Sequence, residues 1–336
     1  MVVTASAEDS SRRYRQDLVA RRGRRPSEPQ TLHYGSTTGM TSTVSLERPP
    51  KPISRRDSLA TIVAEVWHSR DLVTQFVLRD LTIRYTQAVM GFAWALLMPL
   101  LIVGAGMMFR VVVATLSNTP LEGSSIASLA AKALPWAFFA GALSNATQSI
   151  IGNSNIVGKI YFPRESLPLA SVLAQSPDLA VALVILTVIL PFIGVGLSWA
   201  ALWVIVVLLL LVTFTVGCAL VLSCANLFFR DVKYIVQVAL NFGVFATPVF
   251  FEPQMLGRKG AAIMLSLPLS PFVQAMDMAM IRGHNLLDVV TVATKKGPVV
   301  VWSPWMLAYA MASAVLALYV GVRVFRRGSS RFAEMA

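Results

Sequence analysis

From residue 88 onward the chain alternates between long apolar runs and short polar breaks. At the 1.5 Å rise of an α-helix, roughly 20 apolar residues cross a bilayer core about 30 Å thick. Six runs meet or approach that length: residues 91–113, 129–151, 169–195, 199–222, 235–251 and 304–324. The pattern predicts an all-α polytopic membrane protein with six transmembrane helices per protomer. A tight Gly-containing turn over 194–198 separates the third and fourth runs, and a polar break over 226–233 precedes the fifth. Residues 252–303 are only moderately apolar, hold several Pro and Gly, and count as no span.

Before residue 88 the period changes. Leu59, Ile62, Val63, Val66 and Trp67 fall on one arc of a helix, with Thr61, Glu65 and His68 opposite and Asp57 or Ser58 placed to cap it. Trp67 suits a membrane interface, where the ring is buried and the N–H stays wet, so this helix is expected to lie on the membrane surface. Residues 70–87 mix Leu72, Val73, Phe76 and Val77 with Arg79, Asp80, Arg84 and Tyr85, and are expected to be helical and interfacial as well. Residues 1–57 are rich in Arg, Ser, Thr and Pro with almost no apolar period, and read as a disordered basic tail. Ser11 to Arg15 resembles a twin-arginine signal, but no apolar segment follows it and no cleaved leader is expected. The expected organisation is therefore a tail (1–57), interfacial helices (58–87), a membrane domain (88–325) and a short C-terminal tail (326–336).

Composition agrees with this class: 55% hydrophobic and 14% charged residues, with a mean hydropathy of +0.64. The net charge of +12 would suit nucleic acid, but its placement points to topology instead. Fourteen Lys/Arg precede the first run, Lys159 and Arg164 lie between the second and third, Arg230 and Lys233 between the fourth and fifth, and four follow Val322. With both termini cytoplasmic, 22 of 29 basic residues face inward, as the positive-inside rule requires. Arg258, Lys259, Arg282, Lys295 and Lys296 face outward, and Arg110 and Lys132 are expected to snorkel from span ends. Cys218 and Cys224 stand six residues apart in one run. On a helix their Cα atoms lie roughly 9 Å apart, too far for a disulfide.

Reaction chemistry is hard to find in this chain. His33, His68 and His284 show no metal-ligand spacing, and no Gly-x-Ser-x-Gly elbow occurs, so no catalytic residue and no metal site is expected. Gly152 to Lys159 superficially resembles a phosphate-binding loop, but the glycines are one residue too far apart and Ile160 replaces the magnesium-binding Ser or Thr. Asp178 is the acid expected inside a span, a position costing about 2.5–3.5 kcal/mol on insertion scales, and one acid makes no proton relay. It can equally bond a neighbouring helix. The energy source is expected to be another polypeptide, received by the polar loop over 152–168.

A set of ordered motifs carries a family resemblance. Arg79-Asp80-Leu81-Thr82-Ile83-Arg84-Tyr85, followed by Gly91 to Trp94 and Pro99, resembles the entrance segment of ABC-2-type polysaccharide and polyol-phosphate export permeases, the O-antigen and teichoic-acid exporters. Leu134-Pro135-Trp136 with Phe138-Phe139 is similar to the start of their second span. Asn153 through Lys159, Tyr161, Phe162, Pro163, Arg164 and Glu165, with Leu167-Pro168, resembles their coupling loop. Phe229-Arg230-Asp231-Val232, Thr247-Pro248-Val249, Leu269 to Phe272 and Arg331 to Glu334 complete the set over about residues 58–336. Residues 1–57 map onto nothing in the family pattern.

The resemblance implies a homodimeric permease in the bacterial inner membrane, paired with two copies of a soluble ATPase that carries the ATP and magnesium. It implies an interfacial helix that guides substrate in and short external helices between spans five and six that gate the exit. The substrate implied is a glycan on a lipid carrier. Under this resemblance Asn153, Lys159, Tyr161, Phe162, Pro163, Arg164 and Glu165 would meet the ATPase, and Trp67, Arg79, Asp80, Arg84 and Tyr85 would form the entrance. Arg230 and Asp231 would form a cytoplasmic turn, either functional or a structural ion pair. Trp94, Trp136 and Phe139 are candidates for the glycan path, against belt or core packing. Arg110 and Lys132 are candidates for carrier phosphate, against simple anchoring. The Ala-, Val- and Arg-heavy usage suits a high-GC actinobacterium, which makes cell-wall galactan a candidate cargo. The alternatives are an ABC-2 exporter of a drug or lipid and, disfavoured by the missing acid–base pairs, a membrane-embedded transferase.

Overall fold

The centre of the fold is a 26-residue helix with no charged side chain, WVIVVLLLLVTFTVGCALVLSCANLF, over Trp203–Phe228. A computed structural model describes residues 69–86, 93–117, 123–154, 163–196, 198–294 and 297–335. In chain order its α-helices are α1 Arg70–Thr86, α2 Ala93–Ser117, α3 Gly123–Gly152, α4 Ser166–Leu173, α5 Ser176–Ile189, α6 Trp203–Phe228 and α7 Val232–Ala246. Then come α8 Gly257–Ser266, α9 Ser270–Met276 continuing as a π-turn over Asp277–Ile281, a hairpin β1 Val290–Thr294 and β2 Gly297–Trp302, and α10 Pro304–Met335. The all-α expectation is borne out.

Close helix packing around α6 depends on small residues. A Cβ placed on Gly217 would meet the backbone of Ala317 at 2.3 Å, and one on Gly321 the carbonyl of Gly217 at 2.4 Å. The α6 and α10 backbones therefore touch, as small residues permit where no water drives helices together. Leu211, Leu220, Ala314 and Phe325 are buried in the same cluster as Leu129, Phe138 and Ala142 of α3.

Among the described residues, four helical stretches are long and apolar enough to cross a membrane: Gly123–Gly152, Ser166–Ile193, Trp199–Phe228 and Pro304–Gly328. The pair Pro253–Ser266 and Ser270–Ile281, bent by 110°, makes a fifth if it counts as one broken span. The fifth run predicted from sequence, 235–251, is corrected. Its helix α7 has 15 residues, about 22 Å and short of the bilayer core. It stops at Ala246, and residues 247–250 turn before the bent pair begins.

The third predicted run starts three residues early, at Ser166, and breaks at Ala174–Gln175 before α5. Pro177 is the reason: lacking an N–H, it fits the first turn of a new helix better than the interior of a continued one. The Gly turn after the third run is found, with Gly194 in the left-handed region at φ 84. The antiparallel hairpin was not predicted. It pairs Val292 with Val299 and Thr294 with Gly297, and Trp302 closes it, fully buried, its indole N–H donating to the Leu286 carbonyl at 2.9 Å. Residues 1–68, including Trp67 and the first interfacial helix, lie outside the described residues.

Candidate functional sites at the two ends of the helix bundle

The entrance candidates assemble because α1 is anchored to α4. Val73 and Phe76 of α1 pack on Leu167 and Ala170, which fixes the helix beside the start of the third span. Its far end then delivers Arg84 and Tyr85 to the break between α4 and α5. Arg84 Nη1 donates to Asp178 Oδ2 at 2.9 Å and to Gln175 Oε1 at 3.1 Å. Gln175 Nε2 donates to Asp178 Oδ2 at 2.6 Å, and the Tyr85 hydroxyl donates to Asp178 Oδ1. Burial first, then the hydrogen bond and charge of Asp178, push the Tyr85 phenol up to about 12, so it stays a donor at physiological pH. Of the two roles open to Asp178, the bond to a neighbouring helix is the one observed. Arg79 turns instead to its neighbour Asp80 at 2.9 Å and lies over the Phe76 ring.

Asp178 and Gln175 also line one end of a cavity of about 640 Å³ between α2, α3, α5 and α7. Its other polar groups are Ser144, Gln237 and Asn241, linked by hydrogen bonds from Ser144 Oγ to Gln237 Oε1 and from Gln237 Nε2 to Asn241 Oδ1. Trp136 reaches the wall of this cavity, and Gly243 allows α7 to approach it, since a Cβ there would meet the indole at 2.8 Å. Phe139 does not line the cavity. It stacks on Phe214 at 5.9 Å, which in turn meets Phe272, so its surroundings are those of core packing. The side chain of Trp94 lies outside the described residues.

Of the coupling residues, Lys159, Tyr161 and Phe162 lie outside the described residues. Asn153 ends α3, donating to the Ser149 carbonyl at 2.7 Å. Pro163, Arg164 and Glu165 form the half-buried turn into α4, and Glu165 lies 3.9 Å from Arg326 on α10. Arg230 and Asp231 sit in an exposed turn, and no ion pair joins them. What holds that turn is Asn226, a residue sequence reasoning passed over. Its amide donates to the Thr147 carbonyl of α3, and its oxygen accepts the Lys233 N–H that opens α7. Asn226 opens the polar break of 226–233 at the end of an apolar run, which was the available signal.

The other end of the bundle corrects two expectations. Lys132 does not snorkel. It is fully buried, 3.5 Å from an equally buried Asp277. Arg110 is buried too and donates to Glu252 at 3.0 Å. Arg282 joins the two pairs, 3.0 Å from Asp277 and 3.7 Å from Glu252. As carrier-phosphate candidates both cations are thus already matched with carboxylates. The expectation that Asp178 was the acid of interest missed Asp277, which lay in a segment set aside as no span. Among the described residues no group of His, Cys, Asp and Glu could hold a metal.

A chain with a bundle of apolar, membrane-length helices, a mixed-polarity helix anchored against it and a largely apolar cavity holding a few polar side chains has the form of a membrane permease. The comparisons agree. The chain is 24% identical over 266 residues to an O-antigen export system permease protein RfbA of Klebsiella pneumoniae, covering 79% of this chain and 95% of that one. A second such protein from the same organism matches at 24% over the same length, and one from Myxococcus xanthus at 27% over 277 residues, 81% of this chain and 98% of its own. No protein-family model matches the chain. The resemblance to ABC-2 polysaccharide export permeases, first read from separate motifs, therefore extends over about four fifths of the length.

Proposed function

We propose that this protein is the transmembrane permease subunit of an ABC transporter that exports a lipid-linked cell-surface polysaccharide across the bacterial inner membrane. Two copies form the permease, and two copies of a separate ATPase drive it. Both termini are cytoplasmic, and cell-wall galactan is the candidate cargo. The observation that carries this reading is the polar cluster of Arg84, Tyr85, Gln175 and Asp178, formed where α1 meets the break between α4 and α5, with Gln175 and Asp178 also lining the cavity. The cavity beside it carries the amides of Gln175, Gln237 and Asn241, the Ser144 hydroxyl, the Asp178 carboxylate and the Trp136 indole within a largely apolar wall, which suits a sugar, whose hydroxyls seek hydrogen bonds and whose faces stack on aromatic rings.

In this mechanism ATP hydrolysis by the partner pushes on the turn at Pro163–Glu165, and the thrust enters α4 directly. The break at Ala174–Gln175 lets α4 move against α5, so the entrance cluster that bridges the break feels the stroke. Depletion of the protein in its native host is the test. The expected result is loss of the surface glycan with lipid-linked glycan accumulating inside, together with co-purification of an ATPase. A depleted strain that still delivers its surface glycan overturns the proposal.

A further inference from the structure

The five charges at the far end of the bundle form a linear alternating chain: Lys132, Asp277, Arg282, Glu252, Arg110. They come from four separate places, namely α3, the π-turn after α9, the link after α7, and α2. The chain therefore ties the bent pair of α8 and α9 to two spans. Its members are not equivalent. Side-chain exposure is 0% for Lys132 and Asp277, 7% for Arg110, 13% for Glu252 and 27% for Arg282.

Charge arithmetic separates the members in the same way. Losing Lys132 or Arg110 from its place strands nothing on Arg282 but empties one end of the chain. Losing either acid leaves a buried cation uncompensated, which is strongly unfavourable. Losing Arg282 leaves two intact neutral pairs, Lys132 with Asp277 and Arg110 with Glu252. Arg282 is thus the member whose departure leaves both acids paired and severs the bridge between them. It is also the most exposed member, so it can leave without bringing a buried charge into view.

From these two coincident facts we infer that Arg282 is the releasable pin of an electrostatic latch that holds the bent pair closed against α2 and α3. A second feature favours release. Gln274, one helical turn before Asp277 on the same face, is fully buried, and neither its amide nitrogen nor its oxygen meets a protein partner. Burying an unpaired amide is unfavourable, and wetting the seam relieves it. Closed, the latch is held by the shared guanidinium; open, each acid keeps one cation and Gln274 gains water. The inference deepens the export reading, because a latch at this end controls the face where substrate would leave.

The test reads the seam without relying on export. Gln274→Cys is introduced, and its reaction with a membrane-impermeant maleimide is followed by mass spectrometry on the full-length protein in proteoliposomes. Buried native Cys224 serves as the control for unfolding. With Arg282 present, labelling at position 274 is slow. Adding Arg282→Gln is expected to speed it at least tenfold with Cys224 still protected, and Arg282→Lys, which reaches only one acid at a time, to give an intermediate rate. A rate within twofold of the parent overturns the latch. So does simultaneous exposure of Cys224, which makes Arg282 a structural staple. Neither result bears on whether the protein exports a glycan, which the depletion experiment decides separately.

Discussion

Replacing Asp178 with Asn is the sharpest perturbation of the entrance cluster. The carboxylate accepts from Arg84, Gln175 and Tyr85 at once. Asn keeps the shape but loses the charge and turns one acceptor into an N–H₂ group, so at least one of the three donors faces another donor. A hydrogen bond to a charged group contributes about 1.5–3 kcal/mol net, and orphaning one partner of a fully buried pair costs about 3–5 kcal/mol. Here Arg84 retains 28% side-chain exposure and can turn partly to water, which favours the lower figure. The expected destabilisation is roughly 2 kcal/mol, with a coupling of about 1–2 kcal/mol between Asp178→Asn and Arg84→Gln. Unfolding of the purified protein in mixed micelles, run as a double-mutant cycle, measures both. A single-mutant cost below about 0.5 kcal/mol with no coupling would mean that the pair behaves as a surface bridge, and the anchoring argument for α1 would fall.

Gly217→Val drives a branched side chain into the Ala317 backbone, 2.3 Å from where even a Cβ would sit. Loss of at least about 3 kcal/mol or of folded yield is expected, read by thermal unfolding and size exclusion. Tyr85, whose phenol is raised from 10.0 to about 12, stabilises the fold fully below pH 10 and loses that contribution as pH rises through 12. Tyr85→Phe should flatten stability across that window, as followed by unfolding at fixed temperature. Arg164→Ala and Phe162→Ala are expected to leave the protein folded while ATP hydrolysis by the complex no longer moves substrate. Normal export by both variants would take the loop out of the mechanism.

Much of the fold was legible because apolar periodicity reports burial, and the bilayer leaves little choice of backbone structure. The runs at 129–151, 199–222 and 304–324 became α3, α6 and α10 for that reason. The run at 235–251 misled because apolarity continues through Thr247 to Phe251 after the helix has stopped, and hydropathy cannot distinguish a buried turn from a buried helix. The hairpin was missed since Val290–Thr294 and Gly297–Trp302 sit in a segment judged by its Pro and Gly rather than by its β-branched residues. Of the candidate sites, Arg84 and Tyr85 were found by motif, but their partner Asp178 lies more than 90 residues away, a distance no local pattern spans. Lys132 and Arg110 were visible as charges and misplaced, because snorkelling was assumed for cations whose acids had not been located.

The two polar clusters are linked by α3. Lys132 ends the charge chain, and Gly141 lies against Gln175 of the entrance cluster, where a Cβ would approach that side chain to 3.1 Å. Nine residues of helix, about 13 Å, separate them. Between the two stands Pro135, which cannot bond the Ala131 carbonyl and loosens the ladder there. A rigid rod would transmit any shift at the entrance to the latch, whereas a helix softened at this point lets each cluster settle separately. Asp178→Asn and Arg282→Gln should therefore add in unfolding free energy to within about 0.5 kcal/mol. In Pro135→Ala, with the ladder restored, a coupling above about 1 kcal/mol is expected from the same cycle. Additivity in both backgrounds would show that α3 carries nothing between the clusters. Coupling already present with Pro135 in place would show that the proline does not divide the helix.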